Sequence, residues 1–97
     1  MASVIRSFAD KRTEQVWNRQ RVRGLPPEVQ RVGHRKLRQL DVVDRLIELR
    51  VPPGNQLEQL KGDRAGMYSI RIDRQWRICF RWTYDGPEGV EIVDYHR

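Results

Sequence analysis

The chain has 97 residues, enough for one small domain (residues 1–97) with one modest core. Apolar residues make up 38% and charged residues 33%, and no apolar run approaches the ~20 residues of a membrane span. The single cysteine, Cys79, excludes a disulfide framework and a cysteine-based zinc site; with no signal-peptide pattern, this fits a reducing cytoplasm. The formal net charge is +6, and sixteen of the nineteen cations are arginine, the side chain best suited to flat, bidentate recognition of phosphate. The charge is uneven: residues 1–40 carry +7, 41–60 carry −2, 61–82 carry +4 and 83–97 carry −3. A solvated surface explains this blandly; a polyanionic partner, most simply nucleic acid, explains it more sharply.

Residues 3–8 read as a short strand, with Val4, Ile5 and Phe8 as its apolar content, and the leading Met1-Ala2-Ser3 reads as an addition ahead of a natural start at Val4. Asp10 can cap a helix over about 11–21, with Val16 and Trp17 as its apolar stripe and Gly24 as its stop. Pro26-Pro27 opens a second helix, proline being favoured at the first helical position. Val29, Val32, Gly33, Leu37 and Leu40 share one side of it. Arg31, Arg35 and Arg38 project elsewhere, as a solvated basic face first and an RNA or partner contact second. Residues 41–49 read as a third, short helix that Val51-Pro-Pro-Gly-Asn55 ends. A short strand over 57–60 follows.

The clearest pattern lies in 67–82. Tyr68, Ile70 and Ile72 alternate with Met67, Ser69 and Arg71; Trp76, Ile78, Phe80 and Trp82 alternate with Arg77, Cys79 and Arg81. Period-2 alternation predicts two half-buried strands. A three-residue loop, Asp73-Arg74-Gln75, pairs Ile72 with Trp76, Ile70 with Ile78 and Tyr68 with Phe80. A two-residue loop would pair Ile70 with Arg77, so the hydrophobic pattern selects the longer loop. That register sets Arg71 opposite Arg77 with Arg81 and Lys61 nearby, and like charges directly opposite destabilise a sheet unless an anion joins them. After an Asp85-Gly-Pro-Glu-Gly89 turn, residues 90–95 form a last strand. The order β–α–α–(α)–β–β–β–β predicts an α+β fold, with helices on one face of a mainly antiparallel sheet and the other face available.

Candidates for chemistry are few. His96, in the terminal Asp94-Tyr95-His96, is the histidine nearest the cations, and a histidine suits proton transfer near pH 7; an isolated terminal histidine is first read as incidental. His34 and His96 are too few and too distant for a metal site. Lys61-Gly-Asp-Arg-Ala-Gly66 lacks the ending of a Walker loop. Ser69 has no histidine close in sequence, and Cys79 reads as an inert sheet residue.

Leu60-Lys-Gly-Asp-Arg-Ala-Gly66, Tyr68-Ser-Ile-Arg-Ile72, Gln75-Trp-Arg-Ile-Cys-Phe80 and Asp94-Tyr95-His96, with Ile5-Arg-Ser-Phe8 and Val51-Pro-Pro-Gly-Asn55, resemble the HigB (plasmid maintenance killer) branch of the RelE/ParE toxin superfamily over nearly the whole chain. The resemblance implies a RelE-like microbial ribonuclease fold, two or three helices against a twisted antiparallel sheet. It implies a ribosome-dependent endoribonuclease that cuts translated mRNA in the ribosomal A site without a cofactor. It implies a HigA-type helix-turn-helix antitoxin, whose complex with the toxin binds operator DNA. By position, the family's catalytic and RNA-contacting residues fall on Lys61, Arg77, Asp94, Tyr95 and His96. Arg64, Arg71, Arg74 and Arg81 are expected as further RNA contacts, and the remaining arginines as contacts to ribosomal RNA. Family members can carry a histidine three positions before the motif lysine, where this chain has Glu58. Glu58 is either the general base in its place or a plain strand residue. Two other classes share these features: a ParE-like gyrase-inhibiting toxin without RNase activity, and a non-catalytic basic module that binds nucleic acid or a partner protein.

Overall fold

The computed structural model describes residues 4–95. Two helices, α1 (Lys11–Trp17) and α2 (Pro27–Val42), pack on a four-stranded antiparallel sheet in the order β1 (Glu58–Gln59), β2 (Met67–Arg71), β3 (Trp76–Thr83), β4 (Gly86–Asp94). The layer between them holds Val29, Leu37 and Leu40 from α2 against Ile70, Ile78, Phe80, Val90 and Ile92 from the sheet. Gly33 faces the sheet, where a Cβ would meet Ile72 and Ile92 at 3.5 Å, an ordinary packing contact.

Asp10 caps α1 as its position predicts, its Oδ1 accepting from the Thr13 N–H at 2.8 Å. The helix ends at Trp17, well before 21. Arg19 takes a left-handed φ of 60°, Gln20 N–H reaches the Gln15 carbonyl and Arg19 N–H reaches that of Val16. This is a Schellman stop built on arginine, a residue that gives no sequence signal for it. The expected third helix is also absent. The α2 ladder runs on to Val42, and Leu46–Arg50 forms only a 3₁₀ turn, with Leu49 buried and Ile47 exposed.

The hairpin has the register that the hydrophobic pattern selects: Tyr68 opposite Phe80, Ile70 opposite Ile78, Arg71 opposite Arg77. Asp73 builds the loop, its Oδ1 accepting from the N–H groups of both Gln75 and Trp76 at 2.8 Å. The last strand starts at Gly86, four residues before the expected Val90. The register slips by one residue between Cys79 and Arg81, where Gly89 (φ 60°) supplies the extra residue of a bulge. Residues 4–8 form no strand of their own: Phe8 makes a single parallel bridge to Val90, and Arg6 and Ala9 donate to the Pro87 and Val90 carbonyls. With Thr13 Oγ1 accepting from Ile92 N–H, this segment covers the outer edge of β4.

The sheet face away from the helices is only partly open, contrary to expectation. Ser69, Cys79 and Arg77 on it are buried. The 3₁₀ turn Gly62–Arg64 carries Arg64 across to Glu91 of β4 at 3.5 Å, and the segment before β1 brings Gln56 onto Arg77. What stays open is one end of that face. No helix among the described residues is long and apolar enough to cross a membrane.

Candidate nucleic-acid interface

The open end of the sheet is a cleft of about 360 Å³ lined by Gln56, Glu58, Arg71, Asp73, Arg74, Arg77 and Tyr95. It continues past Glu58 and Tyr95 into a second hollow of about 450 Å³, lined also by Gln59, Leu60 and Lys61. Four cations therefore face two carboxylates along one groove, a surface suited to a polyanion.

Arg77 is the floor of this groove. Its side chain is 8% exposed. Its Nε donates to Ser69 Oγ at 2.7 Å, and its Nη2 donates to the Gln56 carbonyl at 2.5 Å and lies 3.6 Å from Glu58 Oε1. Its guanidinium stands 5.9 Å from the centre of the Tyr95 ring, within cation–π range. Burial pulls the Arg77 pKa down and the Glu58 carboxylate opposes it; a guanidinium remains charged at neutral pH regardless. Gln56 holds its carbonyl there from a left-handed backbone (φ 42°, ψ 60°), which costs a non-glycine residue about 1–2 kcal/mol.

The like-charged pair Arg71–Arg77 is eased by divergence. Arg71 Nε turns to the Asp73 carbonyl at 3.0 Å, whereas Arg77 turns to Ser69 and Gln56. Arg74 sits on the hairpin loop at the groove's rim and Lys61 at its far end. Tyr95 is fixed by its N–H, which donates to the Gln75 carbonyl at 2.7 Å.

The structure thus brings together Lys61, Glu58, Arg71, Arg74, Arg77 and Tyr95. It leaves three expected residues outside the groove lining. Asp94 is in register with Trp76, on the helix-facing side, and accepts from Gln75 Nε2 at 3.0 Å. Arg64 is paired with Glu91, and Arg81 lies further along β3 opposite Met67. His96 lies outside the described residues. Among the described residues, no group of three His, Cys, Asp or Glu side chains could hold a metal ion.

Residues 6–96 match the pattern of the HigB-like toxins, described as RelE-like toxins of type II toxin–antitoxin systems. The chain is 37% identical over 91 residues to Toxin HigB-1 of Vibrio cholerae serotype O1, covering 93% of this chain and 95% of that one. It is 31% identical over 94 residues to Endoribonuclease HigB of Proteus vulgaris, covering 96% and 100%. The chain belongs to the HigB-like toxin family. A solved YoeB/ParE toxin from Agrobacterium tumefaciens superposes with a TM-score of 0.51 at 22% identity over the full length of both chains, which shows the RelE-like α+β fold.

In this HigB-like chain, two members of the groove lining, Gln56 and Asp73, and one buried residue beneath it, Ser69, are not among the residues that the sequence singles out. Ser69, with no histidine close in sequence, is the acceptor that fixes Arg77 Nε. Gln56 contributes only its carbonyl, which no side-chain pattern can announce. Asp73 shapes the loop that carries Arg74; its place in a short Asp-containing turn was the available signal.

Proposed function

We propose that this toxin of a type II toxin–antitoxin system is a ribosome-dependent endoribonuclease that cuts translated mRNA in the A site. Family membership and the Proteus relative, named as an endoribonuclease, support the ribonuclease reading. The observation that carries it is Arg77: a buried, hydrogen-bonded guanidinium whose charge opens into a groove with three further cations.

RNA supplies its own nucleophile, the 2′-OH. That oxygen attacks the adjacent phosphorus and the P–O5′ bond breaks. Glu58, on the groove wall beside Arg77, takes the 2′-OH proton, and His96 gives a proton to the departing O5′. The products are a 2′,3′-cyclic phosphate and a 5′-OH. Arg77 and Lys61 stabilise the charge of the phosphorane, fixed cations being worth far more at a preorganised site than in bulk water. Tyr95 stacks on or orients the nucleotide, and Asp94, through Gln75, orients the end of β4 from which His96 follows. Arg71 and Arg74 bind the RNA backbone in the groove, and Arg64 and Arg81 bind it beyond the groove lining. The reaction belongs in the cytoplasm, and residues 1–97 act as one toxin domain. A HigA-type helix-turn-helix antitoxin neutralises it, and the complex binds operator DNA.

Primer extension on a translated mRNA with purified toxin tests this. Cleavage is expected with ribosomes and not on the naked message, with 2′,3′-cyclic phosphate ends. Equal cutting without ribosomes would refute ribosome dependence. No cutting, accompanied by gyrase-linked DNA breaks, would replace the reading with the ParE-like one.

A further inference from the structure

One buried cation has no part in the groove's lining. Lys36 lies on the core-facing side of α2, only 7% exposed. Lysine is almost never buried unless paired, yet among the described residues Lys36 forms no ion pair with a carboxylate. Its Nζ donates instead to the Oδ1 of Asn55 at 2.5 Å. Asn55 is fully buried, and its amide NH₂ is committed to the Leu49 carbonyl (3.0 Å), the Val51 carbonyl (3.3 Å) and Gln39 Oε1 (3.0 Å). Only the reverse orientation would leave Lys36 facing another donor, so the amide has one sensible setting. The next residue is Gln56, whose left-handed backbone holds the carbonyl that Arg77 Nη2 meets at 2.5 Å.

A continuous set of contacts therefore runs from the middle of α2 to the floor of the groove: Lys36, Asn55, the Gln56 carbonyl, Arg77, Ser69. A tie for the loop alone needs a donor and no charge; a neutral amide would meet Asn55 Oδ1 at lower desolvation cost. The surroundings make the charge costlier still. Burial first, then Arg35, Arg71 and Arg77, push the Lys36 pKa below its ordinary value. The donor is given to Asn55, the residue next to the carbonyl that Arg77 meets, and this ties it to that side chain.

We infer that Lys36 is a positioning residue for Arg77: by fixing Asn55 it sets the Gln56 carbonyl and thereby the direction of the Arg77 guanidinium. Lys36 touches no RNA. The inference rests on the reading of Arg77 as the phosphate-binding cation.

A double-mutant cycle on ribosome-dependent cleavage tests it, with rates normalised to the folded fraction. Lys36→Met, nearly isosteric and apolar, leaves the buried Asn55 Oδ1 without its donor and is expected to melt a few degrees lower than wild type while still folding, and to lose roughly ten-fold or more in kcat, with KM changed less than about three-fold. In an Arg77→Lys background the same substitution is expected to add less than about three-fold, because residues acting through one another are not additive. Lys36→Gln, which keeps an N–H for Asn55, is expected to recover most of the rate. It also serves as the probe should Lys36→Met not fold, its loss of ten-fold or more then overturning the inference. A Lys36→Met rate within about three-fold of wild type, or an equal loss in both backgrounds, overturns the positioning role. Should Arg77→Lys itself cut as wild type does, the reading of Arg77 fails first, and that result is distinct from either.

Discussion

Arg77 keeps its charge where most of its water has been removed, and three neighbours decide whether it can. Ser69 Oγ and the Gln56 carbonyl satisfy its donors, and Glu58 balances its charge from a half-exposed position. Removing Ser69 Oγ leaves a buried charged donor short of a partner. Ser69→Ala is expected to lower unfolding free energy by about 1–3 kcal/mol in a denaturant titration, and to reduce cleavage through the loosened guanidinium. An unchanged denaturation midpoint would mean that water replaces the hydroxyl. Glu58→Gln keeps the shape of the groove and removes the proposed base, so kcat is expected to fall by about 100-fold or more, the scale of general base catalysis; full activity would return Glu58 to a strand residue. At this scale the alternation in 67–82 made the Arg71–Arg77 pair legible, and Lys61, Glu58 and Tyr95 came through the family resemblance. Ser69 and Gln56 were not legible as partners of Arg77. They stand 8 and 21 positions from it, and only folding brings a hydroxyl and a bare carbonyl to one guanidinium.

The element that links the core to the groove is α2. Its apolar face was readable from spacing, because Val29, Gly33, Leu37 and Leu40 recur at helical period, and Pro26-Pro27 fixed its start. Its end was not, since no glycine or proline interrupts the sequence at Val42. The same absence hid the arginine-based stop of α1, and Pro87 and Gly89 disguised the first half of β4 as a turn. The helix also carries His34, which packs 6.3 Å from Trp17 and has its pKa lowered by burial first and then by Arg19 and Arg38. A histidine that protonates less readily when folded favours the native state above the ordinary value of 6.5, and that contribution is lost as the pH falls from there through the lowered value. Thermal melts from pH 7.5 to 5 are expected to show wild type losing stability more steeply than His34→Gln; parallel slopes would remove His34 as the cause.

Across the whole molecule the net charge of +6 is split between the groove and the helical layer. On the helical side Arg19, Arg21, Arg31 and His34 line a separate hollow of about 290 Å³. The composition alone pointed to a polyanionic partner, and the fold concentrates only part of that charge at the groove. The central claim nevertheless rests on a single guanidinium. The most direct measurement is single-turnover cleavage of a programmed ribosome by wild type and by Arg77→Ala, each checked for folding by its melting curve. A folded Arg77→Ala protein is expected to cut about 100- to 1,000-fold more slowly, the usual loss when one preorganised transition-state donor is removed. A folded variant that cuts within about three-fold of wild type would contradict the account.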